Sequence, residues 1–490
     1  MRVAARGHCP SGLTPAAWIT LNNICPSVTF TEKCVGLLTD PYIAPHNRQS
    51  LFKMSHRVRS SEPVDRAAGG PRTRKGHRVT EQHPCEQSPS VPETEHELIN
   101  RLVHQFDHHD PCLGKCYDAV YSQMVTKCPV AHSNQHGGFW ILSSYATAHY
   151  AMQHYELFST APSVNIPAGL GQRRPLLPME VDPPVQSRYR ALLLPVFSPQ
   201  RMKILEGRIR DVTDSLIDSF IDDGECEFVS DFAEKLPTVV FTEMMGLPLD
   251  QAARFHAWKN TLLHGHHDDP DGTIRQRAGQ ELNEYLGELL VERKRNPGED
   301  VISTLHGAEV DGDRLTDDEI LDITYLLFLA GLDTVTSSLG LHFLRLSQRP
   351  DLQAQIVADP AIIPVAVEEM LRAESLVLAG RTATRDVEIG GHVIYKGDRV
   401  LINTVAANRD PAVFDDPEQI RFDRGRTRHI AFGVGPHRCA GSHLARLELA
   451  VAYEHWHRRI PGYRLKEGAT VIRHASSVAG IQALPLVWDR

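Results

Sequence analysis

Residues 431–441, which read AFGVGPHRCAG, constrain the chain more than any other stretch. Gly433, Gly435 and Pro436 disfavour a regular helix or strand and let the backbone approach a flat group closely. After Cys439 the apolar residues recur at helical spacing, so a glycine-rich loop enters a helix here. A lone cysteine is usually a small buried hydrophobic residue. In this setting, however, the amides of the loop and of the helix start favour the thiolate, and the sulfur can serve as a metal ligand.

The spacing FGxGxHxCxG within this stretch resembles the haem-binding loop of the cytochrome P450 family, and every fixed position is filled. In that family a cysteine thiolate ligates the haem iron and favours O–O cleavage. The resemblance implies haem b as cofactor, with Cys439 as the axial ligand of the iron and His437 as a donor to a haem propionate. It also implies that Phe432 packs against the porphyrin, with Gly433 beside it.

The longest strongly apolar segment, Asp318–Leu346, is predicted to be a helix that crosses the middle of the protein. Asp333 and Thr334 are unusual there because buried polar groups in a helix need partners. One interpretation is that Thr334 bonds back to the Ala330 carbonyl and bends the helix. The other follows from AGLDT, which resembles the oxygen-activating groove of the family. It implies that Thr334 hydrogen-bonds the activated oxygen, that Asp333 relays protons, and that Ala330 with Gly331 leaves room for dioxygen.

Glu369 and Arg372 are three residues apart on a predicted helix. Such a pair alone is weak support for any function, because surface Glu/Arg pairs are common and contribute little. Its position between AGLDT and the cysteine stretch resembles the ExxR pair of the family. The resemblance implies a structural ion pair, completed by a third basic residue for which Arg421 is the candidate.

Three further side chains are implied as haem contacts by the same resemblance. Arg381 begins a predicted strand and matches the family arginine that binds a haem propionate. Pro183 and Pro184 open a helix on which Gln186 and Arg190 share one face. The matching helix of bacterial relatives presents such residues to the propionates. The alternative for Gln186 and Arg190 is a solvated helix face.

By analogy with the family, a set of almost wholly apolar residues is predicted to face the substrate. Such a lining favours a hydrophobic small molecule held by shape. For half of the set, ordinary core packing is an equally good explanation. The set consists of Leu326, Leu329, Ala330, Leu376, Val377, Leu378, Val478 and Ala479.

The fold class implied is mainly α with a small β portion, the α-rich triangular prism of the cytochrome P450 fold, over residues 96–490. The pattern over Val387–Val400, with turns at Gly390-Gly391 and Lys396-Gly397, predicts strands. Within the cytochrome P450 family, the sequence resembles the soluble bacterial class. The AGLDT, GR and HLAR…RIP strings distantly resemble its camphor-hydroxylase branch.

Residues 1–95 differ from the rest of the chain. They carry 12 Lys and Arg against 8 Asp and Glu, a balance of +4, although the whole chain has a formal charge of −9. A charged, apolar-poor segment of this kind is predicted to be a disordered extension. Met54 opens its polar part, so an over-extended start is a second hypothesis for the first 53 residues. Neither a motif nor interleaved aromatic residues support nucleic-acid binding.

The amino-acid composition indicates the cellular compartment in which the protein is expected. No run of about 18 consecutive apolar residues is present, so no membrane span is expected. Nine cysteines without a regular framework favour a reducing, cytoplasmic setting. The polar segment His264–Gly272 is predicted to be a solvated, mobile loop over a substrate entrance rather than a metal site.

The function implied by the resemblance is a monooxygenase that inserts one atom of O2 into a hydrophobic small molecule. Electrons derive from NAD(P)H through a separate ferredoxin or similar donor. The donor is expected to dock on the Cys439 side, where Arg438 and Arg446 offer positive charge to an acidic partner. A monomer is expected. A peroxygenase or rearranging enzyme of the same family is the alternative, and a non-catalytic haem sensor is a remote one.

Overall fold

The computed structural model describes residues 94–425 and 427–490. The predicted start at Met54 and the predicted extension, apart from its last two residues, lie outside these described residues. Within the described part the chain is mainly helical, which confirms the predicted fold class. The helices are α1 (Glu95–His104), α2 (Tyr117–Lys127), α3 (Tyr145–Gln153), α4 (Val185–Leu193), α5 (Pro199–Asp218), α6 (Lys235–Met245), α7 (Ala252–His264), α8 (Thr273–Arg295), α9 (Val301–His306), α10 (Asp317–Ser347), α11 (Pro350–Ala358), α12 (Ile363–Ala373), α13 (Thr404–Ala407) and α14 (Ser442–Arg459).

The strands are short and form one five-stranded sheet with smaller ribbons beside it. They are β1 (Val130–Ser133), β2 (Phe139–Leu142), β3 (Phe158–Ser159), β4 (Glu225–Glu227), β5 (Glu309–Val310), β6 (Asp313–Arg314), β7 (Leu378–Ala383), β8 (Val387–Ile389), β9 (His392–Ile394), β10 (Arg399–Asn403), β11 (Arg464–Leu465), β12 (Arg473–His474), β13 (Gly480–Ile481) and β14 (Pro485–Val487).

The five-stranded sheet has the order β1-β2-β10-β7-β3, with β10 parallel to β2 and antiparallel to β7. The predicted turns within Val387–Val400 are present. Gly390 and Gly391 join β8 to β9 with φ angles of 57° and 80°, and Gly397 precedes β10 with a φ of 93°. Glycine adopts these left-handed angles without the Cβ penalty that other residues incur.

Helix α10 begins and ends within one residue of its predicted bounds. Thr316 and Glu319 form a capping box at its start, and Asp317 and Asp318 place negative charge where the helix dipole favours it. The helix is long and apolar enough to cross a membrane, but 72% of its most apolar window is buried inside the protein. It is therefore a helix of the protein core.

Aromatic packing fixes α14 against α10. The ring of Trp456 on α14 lies 5.3 Å from that of Phe343 on α10, and Phe228 contacts both rings, at 5.0 Å and 4.3 Å. Edge-to-face and offset pairs at such distances add to the stabilisation from burial alone. This cluster holds the helix that follows the cysteine loop against the central helix.

The segment between α7 and α8 differs from the predicted solvated loop. His267 and Asp268 are exposed as expected, but His266 and Asp269 are buried. His266 belongs to a histidine stack, in which its ring lies 4.0 Å from that of His109, which lies 4.1 Å from that of His108. Asp269 instead forms an ion pair with Arg275, whose Nε lies 3.2 Å from Asp269 Oδ2. The stack ties this segment to the chain just before α2.

This stack predicts acid sensitivity. Burial lowers the pKa of His109 to about 4 and that of His266 to about 3. The unfolded chain, with ordinary histidine pKa values, therefore binds more protons below about pH 6.5. We expect the free energy of unfolding to fall between pH 6.5 and pH 5, with a slope for each of the two residues that approaches about 1.4 kcal/mol per pH unit toward pH 5.

Urea unfolding at pH 7, 6 and 5 measures the effect. His266→Gln should reduce the slope of the free energy of unfolding against pH by the contribution of one histidine. His267→Gln, at the exposed neighbouring position, should leave the slope unchanged. Equal slopes in wild type and His266→Gln would contradict the prediction.

Candidate active site

The loop before α14 is folded tightly around Cys439. The Cys439 amide donates to the Phe432 carbonyl at 2.8 Å, which closes the loop. Gly435 has a φ of 74°, and a Cβ there would lie 2.6 Å from the Met152 carbonyl oxygen. Both the backbone angle and the close approach of α3 therefore require glycine at this position.

The Cys439 side chain is exposed, yet burial raises the pKa of its thiol. The two observations are compatible if the sulfur lines a cleft inside the protein. The Gly441 amide and the positive charges of Arg190, Arg438 and Arg446 oppose the rise but do not overcome it. The Gly441 amide thus favours the thiolate as predicted, burial outweighs this effect in the metal-free protein, and coordination of a metal would itself release the proton.

The central helix opens to a cleft at the predicted groove. Ala330 is exposed and Thr334 half-buried, although the residues around them on α10 are buried. Thr334 Oγ1 donates to the Ala330 carbonyl at 3.0 Å, which is the back-bond considered from the sequence. Gly331 does not leave room for dioxygen as expected, because a Cβ there would lie 2.4 Å from the Phe241 ring of α6. Its small size serves helix packing instead.

Asp333 is buried against a lysine and a histidine that the sequence analysis did not predict as its partners. Its Oδ1 lies 2.9 Å from Lys259 Nζ and 3.1 Å from His264 Nε2, both on α7. Burial alone would raise the pKa of Asp333, but His264 and Lys259 hold it far below its ordinary value. Asp333 is therefore an ionised carboxylate. More than 60 residues separate the partners, so no local pattern could have predicted the contact.

Two buried groups near the loop have no hydrogen-bonded carboxylate among the described residues. Arg381 is 5% exposed and donates from Nη1 to the Gly380 carbonyl, and burial lowers its pKa to about 10. His437 Nε2 is buried without a hydrogen-bond partner among the described residues, because Asp182 Oδ1 lies 3.7 Å away. A ligand with carboxylates, such as a haem with its propionates, would satisfy both groups.

The two side chains predicted on α4 hold the loop itself. Gln186 Nε2 donates to the Pro436 carbonyl at 2.7 Å, and Arg190 donates to the carbonyl of Arg438. Arg190 is half-buried, and Cys439 lies close enough to influence its pKa. The predicted propionate contacts of Gln186 and Arg190 stay predictions.

Replacing Arg381 is predicted to affect two properties in opposite ways, namely the stability of the haem-free protein and the retention of haem. Arg381→Gln removes a buried charge that forms no ion pair among the described residues and is compensated by Asp182 only at longer range, so the haem-free protein should keep its stability or gain some. The same change should speed haem release at least ten-fold, since a charge-assisted hydrogen bond contributes about 1.5–3 kcal/mol. Transfer of haem to a scavenging protein measures the release.

Arg399 on β10 is the matched control. Its guanidinium donates to the carbonyls of Ser163 and Asn165 at 2.7 and 2.9 Å, so Arg399→Gln should destabilise the haem-free protein. An Arg381→Gln variant that loses stability without haem and retains haem as wild type does would contradict the prediction.

The ExxR pair lies at the centre of a buried network. Arg372 Nη2 lies 2.8 Å from Glu369 Oε1, and neither side chain is exposed. The third basic residue is Arg424, whose Nε lies 2.8 Å from the same oxygen. The expectation for Arg421 is corrected: its backbone amide donates to Glu369, while its guanidinium is turned away.

Phe432 lies under a cation. The guanidinium carbon of Arg446 is 4.4 Å from the centre of the Phe432 ring, and its Nη2 is 3.0 Å from Glu368 Oε2. Arg446 is therefore committed to an internal ion pair. Of the two cations expected to attract a redox partner, Arg438 alone is exposed without such a pair in the described structure.

The predicted substrate-facing residues come together from two distant segments. Residues 376–378 pair with residues 477–479: Leu378 donates to the Ser477 carbonyl and Ala479 to the Leu376 carbonyl, both at 2.9 Å. Val377 and Val478 form the bridge between them. Leu326 and Leu329 are buried on α10. Their contact with substrate stays a prediction.

The helical fold, the cysteine loop and the unpaired groups around it define a haem-thiolate protein. A family model described as Cytochrome P450 matches residues 255–359 and 362–457. The chain is 35% identical to a probable cytochrome P450 127A1 of Sinorhizobium fredii over 72% of this chain and 84% of that protein. It is 34% identical to a steroid C26-monooxygenase of Mycobacterium tuberculosis over 76% of this chain and 93% of that protein.

Among solved structures, cytochrome P450 CYP101C1 matches with a TM-score of 0.71 and 31% identity, over 79% of this chain and 97% of that one. CYP101J2 matches with a TM-score of 0.69 and 30% identity, over 76% and 93%. The chain belongs to the cytochrome P450 family, in its bacterial class, as the sequence predicted. It is an oxygen-incorporating oxidoreductase of the haem-thiolate type, and haem and O2 are the cofactor and co-substrate of its family.

Proposed function

We propose that this protein is a monooxygenase that hydroxylates a hydrophobic small molecule. One observation carries the proposal: in the largely buried middle of α10, Ala330 is exposed and Thr334 half-buried, and the ionised Asp333 immediately precedes Thr334. A proton relay beside an open groove is what reductive activation of dioxygen needs. The family's peroxygenases and rearranging enzymes have no such need.

Each residue of the site then has a task. Bound haem, ligated by Cys439, would supply dioxygen activation and oxygen insertion. Arg381 and His437 would hold its propionates. Thr334 would exchange its bond to the Ala330 carbonyl for one to the reacting oxygen, and Asp333 would pass it protons. The apolar residues of α10 and of the paired segments 376–378 and 477–479 would orient the substrate and exclude water.

Electrons would come from NAD(P)H through a ferredoxin or similar carrier. Arg438 is exposed next to Cys439, which supports docking of an acidic partner on this side. We place the enzyme in the cytoplasm, and as a monomer. The family relationship supports this placement.

The substrate is proposed to be a sizeable hydrophobic molecule. Related proteins are named as a steroid C26-monooxygenase and as a mycinamicin IV hydroxylase/epoxidase. The apolar character of the predicted lining residues agrees with substrates of that kind. The protein can be titrated with steroids, macrolides, terpenes and fatty acids while the haem Soret band is recorded. The compounds that shift this band would identify the class of substrate.

Thr334→Ala tests the proposal. With a substrate selected in this way, NAD(P)H should still be consumed, but the fraction of electrons recovered in product should fall at least about ten-fold, with hydrogen peroxide in its place. Thr336→Ala is the matched control, because Thr336 makes the same type of back-bond, at 3.3 Å to Leu332, two residues further along α10. Unchanged coupling in Thr334→Ala would favour the peroxygenase alternative.

A further inference from the structure

The contacts of Asp333 leave one of its oxygens free. Both cations approach Oδ1, with Lys259 Nζ at 2.9 Å and His264 Nε2 at 3.1 Å. Oδ2 is buried and has no hydrogen-bond partner among the described residues. A buried carboxylate oxygen without a partner is costly, so a reason for it is required.

His264 is held on its other side by the C-terminal hairpin, which consists of β12, β13 and the residues between them. Its Nδ1 lies 3.1 Å from Ser476 Oγ. The single hydroxyl hydrogen of Ser476 goes to the Val478 carbonyl at 2.5 Å, so the Ser476 oxygen accepts from Nδ1–H. The Asp333 carboxylate also accepts only, so Nε2 carries a hydrogen as well. The two contacts together make His264 an imidazolium.

The groups around the His264 imidazole are consistent with a single positive charge on that ring. The titratable groups around His264 are Asp333 on α10, Lys259 on its own helix and His474 on the hairpin, whose ring lies 4.3 Å away. Burial lowers the pKa of His474 to about 3, so this neighbour is neutral. Of these two neighbouring rings, His264 alone therefore carries the positive charge.

We propose that His264 is the proton-donating partner of Asp333, a positioning residue that acts through the aspartate. This inference rests on the proposed monooxygenase function. His264 Nε2–H transfers its proton to the Asp333 carboxylate, which leaves a neutral imidazole protonated on Nδ1 and a neutral carboxylic acid. The carboxyl group of Asp333 then rotates about its bond to Cβ, which turns the protonated oxygen away from His264, and this oxygen releases its proton toward Thr334. His264 recovers its proton from water, since its side chain is 17% exposed whereas that of Asp333 is 2% exposed.

Lys259 is the less suitable donor of the two. An imidazolium is generally a stronger acid than an alkylammonium by about four pKa units. The Lys259 side chain is also only 4% exposed, which limits reprotonation by water. Lys259 therefore keeps the carboxylate in place while His264 supplies protons. The C-terminal hairpin contributes by orienting the imidazole through Ser476.

Nitrogen NMR of the full-length protein labelled with ¹⁵N-histidine tests the charge state without turnover. The ring signals lost in His264→Gln identify the residue. At pH 7 they should show both ring nitrogens protonated, and Asp333→Asn should convert them to those of a neutral ring. A neutral ring in the wild type would overturn the inference and would leave the proposed function untouched.

Turnover with the selected substrate gives the second readout. His264→Gln should lower kcat and the fraction of electrons in product about ten-fold, leave KM unchanged, and enlarge the solvent isotope effect. His306→Gln on α9, whose imidazole contacts the Leu290 carbonyl, is the control and should behave as wild type. A changed KM with unchanged kcat would instead mark His264 as a substrate contact and overturn the inference. If no substrate is oxygenated by the wild type, the proposed function fails, and the NMR result still decides the charge on His264.

Discussion

Cys439→Ser is expected to abolish haem-thiolate ligation and to reduce oxygenation below detection. A serine hydroxyl is a far weaker acid and a harder ligand than a thiol, so it cannot donate the electron density that favours O–O cleavage. The loop itself should survive, because the closing bond runs from the backbone amide of residue 439 to the Phe432 carbonyl. The spectrum of the reduced protein with carbon monoxide should lose the red-shifted signature of a thiolate ligand.

Cys226→Ser is the control for this experiment. Cys226 lies buried on β4, away from the loop, and burial raises the pKa of its thiol. It should behave as a small core residue. The variant should keep the thiolate signature. A thiolate signature that persists in Cys439→Ser would refute the assignment of the axial ligand.

Arg424→Gln should destabilise the protein strongly, whereas Arg421→Gln should not. Removing Arg424 leaves the buried Glu369 with one cation fewer and frees three backbone carbonyls that its other nitrogens contact. Breaking a buried ion pair in this way costs about 3–5 kcal/mol. Arg421 is 39% exposed on its side chain and contacts Glu369 through its backbone, so its substitution should change stability by less than about 0.5 kcal/mol.

Urea unfolding monitored by far-UV circular dichroism measures the difference between the two variants. They lie three residues apart in the same irregular segment and lose the same charge, so composition and net charge are matched. Equal destabilisation by the two substitutions would contradict the assignment of Arg424 to the network.

The contrast between Arg421 and Arg424 shows where sequence reasoning ends. The bounds of α10, the loop around Cys439 and the turn at Gly390-Gly391 follow from local patterns, because periodicity, capping residues and left-handed angles act over a few residues. The segment that contains both arginines has no periodicity, so the sequence cannot tell which side chain turns inward.

Asp333 illustrates a second limit. Its polar character in an apolar helix marked it for function, but its partners Lys259 and His264 lie on another helix. Only tertiary packing brings them within 3.1 Å. The same holds for Gly331, whose small size is explained by the Phe241 ring of α6 rather than by the groove.

A monooxygenase inserts one atom of dioxygen into its substrate, and this is the reaction that we propose for this chain. The most direct test is turnover under isotopically labelled dioxygen, with a substrate that shifts the Soret band and with a reconstituted electron-donor chain. We predict a product that carries one labelled oxygen atom, with the second labelled atom recovered in water. A product whose new oxygen comes from unlabelled water, or a product without new oxygen, would contradict the account.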